Sequence, residues 1–145
     1  MNINDRITYI NIMGRECPLC LTVSATKAFR SAFGVGIRKI DQLMNITDDG
    51  ENVDMVLGNM LQTLQILLNG GRNAVQCRAR MAGEKVPEIP AFTADDLMNI
   101  YTLADIGELS KKIMAAISDS YRQEIEAEPV KNGAEAASAS SKASA

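Results

Sequence analysis

The 145-residue chain has no histidine and no tryptophan, and only three Phe and three Tyr. Without histidine, the usual general base at neutral pH and the usual partner of a nucleophilic side chain are both missing. Cysteines number three; an odd count speaks against a disulfide framework and for a reducing compartment. No apolar run reaches the roughly 20 residues that a bilayer-spanning helix requires. No basic-then-apolar leader opens the chain. Basic residues do not predominate either: the net charge is −3 and the pI about 5.0. That excludes a global electrostatic pull toward nucleic acid or an anionic membrane. The expectation is a cytoplasmic protein that is not an enzyme, needs no cofactor and has no membrane partner.

What is present is organised around Asn52–Asn69, NVDMVLGNMLQTLQILLN, whose one charge is Asp54. Val53, Val56, Leu57, Met60, Leu61, Leu64, Leu67 and Leu68 follow the i, i+3, i+4, i+7 spacing of an α-helix with a wide apolar face. Asn52 is the natural cap, and Gly70-Gly71 offers a left-handed stop. At 100° per residue, Met55 and Ile66 fall together on the opposite side, beside Asn59 and Gln62. A helix so poor in charge packs on both faces or presents one face to a partner.

Before it, Arg6–Met13 and Cys17–Val23 are extended runs about the turn Gly14-Arg15-Glu16, which predicts a β-hairpin. Cys17, Leu19, Leu21 and Val23 would share its inner face. Pro18 cannot donate to a ladder, so it marks an edge or a bulge. Ser24 is placed to cap a first helix carrying Ala25, Ala28, Phe29, Ala32 and Phe33. Gly34 and Gly36 end it, and a short second helix carries Ile37, Ile40, Leu43 and Met44. After Gly71, Asn73–Met81 reads as a further helix, and 83–91, with Pro87 and Pro90, as a connector. Thr93 with Asp95 and Asp96 starts another helix. Asp105 starts the last, with Ile106, Leu109, Ile113, Ile117 and Tyr121 on one stripe.

The predicted fold class is α+β, mostly α-helical, with an N-terminal β-hairpin followed by five or six helices. Residues 1–125 form one domain. From 126 to 145 the composition falls to Ala, Ser, Glu and Lys, and a segment without large apolar residues cannot offset its ordering entropy by burial. It is expected to be a disordered tail.

The sharpest local motif is Cys17-Pro18-Leu19-Cys20. A redox dithiol needs its first cysteine at a helix N-terminus, and here a strand surrounds it. A zinc site wants four ligands, whereas Cys17, Cys20 and Cys77 supply three. Small apolar residues in a half-buried hairpin explain the motif as well. Arg72, Arg78, Arg80 and Lys85 form a basic cluster after the central helix. A regulatory nucleic-acid-binding protein could use it, though no aromatic residues are interleaved; on an acidic chain a solvated helix face is the first reading. Gly34-Val35-Gly36 lacks a third glycine and follows a helix, so it does not cradle phosphate.

Eight methionines remain to be placed. Met44, Met55, Met60, Met98 and Met114 are read first as core gap-fillers. The second reading makes them, with Ile66, an adaptable surface for partner helices.

The order of features resembles the tail assembly chaperones of long-tailed phages and prophages, especially those of Gram-positive hosts. The residues that carry the likeness are ITYINIMGRECPLCLTVS running into ATKAFRSAFG and IRKIDQLM, the central helix, and FTADDLMNIYTLADIGELSKKIMAAIS. The likeness spans residues 6 to 125 and rests on pattern and spacing. It implies a non-enzymatic protein that coats the helical tape measure protein, recruits tail tube protein, self-associates, and is absent from the mature virion. It assigns no catalytic residues.

Overall fold

The chain reverses first at Met13-Gly14, where both residues have positive φ, 52° and 84°. Such a two-residue turn matches the right-handed twist of the strands it joins. The structure, a computed structural model, describes residues 7–131, with 122–131 described as helical backbone. Strand β1 (Thr8–Ile12) pairs antiparallel with β2 (Arg15–Leu19), Ile12 opposite Arg15 and Tyr9 opposite Pro18. The turn therefore lies one residue earlier than Gly14-Arg15-Glu16, because Arg15 already belongs to the ladder. Hydrogen-bonded pairs alternate outward from Ile12–Arg15, so the missing N–H of Pro18 faces away from the ladder. Cys17 and Leu19 are fully buried, as the alternation demands. Val23 is not on that face: it opens a helix and is exposed.

Helix α1 (Val23–Phe33) is capped by Thr22, whose hydroxyl accepts from the Ala25 amide at 3.1 Å, rather than by Ser24. Gly34, at φ 75°, closes it in the left-handed conformation. A 3-10 turn (Ile37–Lys39) leads into the single-turn α2 (Ile40–Leu43), and Ile37 and Ile40 are buried. Asn52 stands at the start of the next helix without capping it. Its amide is committed to the preceding loop, accepting from the Thr47 amide and donating to the Asn45 carbonyl, each at 2.9 Å.

That helix, α3, runs unbroken from Val53 to Met81. Gly70-Gly71 is not a stop, and Asn73–Met81 is no separate helix. The reason lies in β2. A Cβ on Gly70 would collide with the carbonyl oxygen of Cys20, and one on Gly71 with the Pro18 carbonyl and the Leu19 nitrogen. The two glycines let α3 lie directly on the strand backbone, and the Cys20 amide donates to the Leu67 carbonyl across that contact at 3.1 Å. Helix α4 (Ala94–Ile100) starts with the expected Thr93 cap, completed by Asp96 as a reciprocal box. A second box, Thr102 with Asp105, forms a 3-10 turn (Leu103–Asp105) ahead of α5 (Ile106–Lys131).

The expected architecture is present: a hairpin, then five α-helices, packed about α3. β2, α5, α1 and α4 all contact α3. Leu109, Ile113, Ala116 and Ile117 form the buried stripe of α5, with Ile106 and Tyr121 partly buried beside it. The helix continues to Lys131, past the expected boundary at 125. The rest of the predicted disordered tail lies outside the described residues. No helix among the described residues is long and apolar enough to cross a membrane.

Candidate functional surface

The structure separates residues that the helical wheel had grouped. Ile66 is 8% exposed and Met60 2%, so both belong to the core and not to a partner-facing surface. Met55 is 59% exposed. Met55 and Ile66 do share an azimuth on α3, but they lie about 16 Å apart along its axis. The neighbouring elements enclose the helix at the level of Ile66 and leave it open at Met55. From Met60 to Gly71 the buried positions surround nearly the whole helix, leaving only Gln62, Gln65 and Asn69 in a strip toward solvent.

The buried polar groups on this helix are satisfied locally. Thr63 is buried and donates to the Asn59 carbonyl at 2.8 Å, while the Asn59 amide donates to the Leu43 carbonyl at 2.9 Å. Asn59 thereby ties α2 to α3, which explains an uncharged polar residue on this face without a partner protein.

Of the other expected partner residues, Met98 on α4 is 52% exposed and Met114 on α5 is 37% exposed, while Met44 packs partly buried against the core. Met13 and Met81 are also exposed, at the hairpin turn and at the end of α3. Neither is among the partner residues that the sequence pattern singles out. Their positions beside Gly14 and before Gly83 are a signal, since ends and turns lie at the surface. Five of the eight methionines are thus exposed large apolar side chains. Gap-filling in the core, the first reading, applies to Met60 and in part to Met44.

The basic cluster is dispersed. Arg72 is half-buried, and its Nε donates to the Ile89 carbonyl at 2.9 Å. Arg78 lines a hollow formed with Cys20–Val23, Thr26, Ser120 and Tyr121. It lies about 120° around the helix from Arg72. Arg80 and Lys85 are exposed. No single phosphate-facing stripe results.

The cysteines are dispersed too. Cys17 and Cys20 are buried, whereas Cys77 is exposed on α3. Burial pushes the Cys17 thiol up, opposed in part by Arg15, which keeps it neutral and a poor nucleophile. Among the described residues no group of three or more Cys, Asp or Glu side chains is placed to hold a metal ion, so Cys17, Cys20 and Cys77 do not form a site there. Under native conditions a thiol-reactive probe is expected to modify one cysteine, Cys77, with Cys17 and Cys20 reacting only in denaturant. Mass spectrometry of the labelled protein reads this directly, and fast native labelling at Cys17 would contradict the burial.

Between the hairpin and the start of α5 lies a hollow of about 220 Å³, lined by Asn11, Glu16, Tyr101, Asp105, Glu108 and Lys112 among others. The Tyr101 hydroxyl is buried without a hydrogen-bond partner. Burial, and then the nearby Asp105 and Cys17, raise its pKa. Two of the carboxylates there have structural tasks. Asp105 accepts from the Thr102 backbone N–H at 2.8 Å, and Glu16 from the Asn11 side-chain Nδ2 at 3.1 Å.

Comparison with known proteins yields no match to any family model, curated protein or solved structure.

Proposed function

We propose that this protein is a non-enzymatic phage or prophage tail assembly chaperone, acting in the cytoplasm of a bacterial host. It covers the apolar stripes of the helical tape measure protein and helps to recruit tail tube subunits. The observation that supports the reading best is the exposure of unbranched, adaptable side chains, Met55, Met98 and Met114, on three helices around a closed core. Methionine is flexible and polarizable, so it can cover apolar stripes without demanding one sequence. A long client offers many such stripes, and weak contacts repeated along it sum through avidity. The order of hairpin and helices, which resembles that of the tail assembly chaperones, supports the choice of this client.

The test is co-expression with a tape measure fragment. Replacing Met55, Met98 and Met114 together by Lys is expected to leave the helical circular dichroism unchanged and to lower the soluble yield of the fragment at least about fivefold, since charge removes apolar contact area. Equal soluble yield with both proteins would overturn the proposal.

A further inference from the structure

The connector between α3 and α4 is docked on α3 in an unusual way. It leaves the helix at Gly83, whose φ is 73°, with the Glu84 amide still bonded to the Ala79 carbonyl at 2.9 Å. It then runs outside any helix or strand through Pro87 and Pro90, which favour extended backbone at themselves and at the residues before them, to Phe92, which packs partly buried against the core. Between these ends its carbonyls are held by side chains of α3. Arg72 Nε donates to the Ile89 carbonyl at 2.9 Å, and Gln76 Nε2 to the Pro87 carbonyl at 3.1 Å.

The spacing of that pair is informative. Residues i and i+4 of a helix are about 6.0 Å apart along its axis. Carbonyls two residues apart in an extended or polyproline chain are about 6.2–6.8 Å apart. Arg72 and Gln76 therefore match a main-chain repeat, not a side chain, with the connector running antiparallel to α3. Residues 84–88 are exposed, Ile89 and Pro90 only half-buried. An open hollow of about 400 Å³ lies here, lined by Arg15, Arg72, Gln76 and residues 86–90. A close-packed segment would leave no such space.

We infer that residues 84–91 form a detachable strap, clipped to α3 by Arg72 and Gln76, that opens as a unit while the core stays folded. Two prolines stiffen it, so it swings about its ends instead of fraying residue by residue. Its clips are side-chain donors that water can replace, unlike the ladder that holds β1 to β2. Opening frees both donors and removes the wall of the hollow that residues 86–90 supply. The inference does not depend on the identity of any client.

Cys77, the exposed thiol next to Gln76, makes the test simple. A nitroxide attached there is expected to broaden the amide resonances of Val86, Glu88, Ile89 and Ala91 in the full chain. In the double variant Arg72→Ala/Gln76→Ala those signals should recover at least about twofold, while the core resonances and the melting temperature hold. Gln76→Ala alone, which removes one clip and leaves Arg72 in place, should give partial recovery. Unchanged broadening in either variant would overturn the inference. So would loss of the core resonances together with the strap signals, because strap and core would then open as one.

Discussion

Gly71→Ala is expected to destabilise the protein by about 3–5 kcal/mol, in the range of severe overpacking. The added methyl group would meet the Pro18 carbonyl and lie 2.8 Å from the Leu19 nitrogen, both backbone atoms of a strand that cannot step aside. To relieve the clash, α3 must lift off β2, which lengthens the Cys20–Leu67 hydrogen bond and opens the layer containing Leu64, Leu67 and Leu19. Gly58→Ala is the control. A Cβ there meets nothing within 4 Å, so the better helix former should stabilise by about 0.5–1 kcal/mol. Urea denaturation of the two variants checks both signs. Equal effects would mean that helix propensity, not the approach of α3 to the strand, governs these glycines.

The second large effect separates structure from surface on the same helix. Met60→Ala is expected to cost about 2–4 kcal/mol, because it leaves a cavity among side chains that are themselves fully buried. Met55→Ala should change stability by less than about 0.5 kcal/mol, since its side chain is already in water. For a domain of this size the first corresponds to a fall in melting temperature of roughly 8–20 °C, the second to almost none. If the surface methionines engage a client, Met55→Ala should weaken client binding while Met60→Ala leaves the affinity of the folded fraction intact. Comparable melting temperatures for the two would contradict the placement of the core.

The elements themselves were largely legible in the residues. Alternating apolar positions located the hairpin, and the Thr93 cap with its following acids and the stripe from Ile106 to Tyr121 located the last two helices. The cap residues were less secure. Ser24 and Thr22 are chemically equivalent candidates two positions apart, and Asn52 serves a loop instead of the helix it precedes. Arg72, grouped with other basic residues by sequence, is set apart by a carbonyl acceptor on the connector. That partner becomes visible only when the connector folds back.

Left to itself, the amino-acid order determined the local periodicities, the class of fold, and the chemistries that a chain without histidine does poorly. Tertiary structure alone decided which part of each stripe is covered. Gly70-Gly71 ends a helix or admits a strand depending on what lies opposite, and what lies opposite is a segment far earlier in the chain. Met55 and Ile66 share an azimuth and part company only because neighbours close over one end of α3. Burial is a property of pairs of distant segments, so no window of sequence contains it.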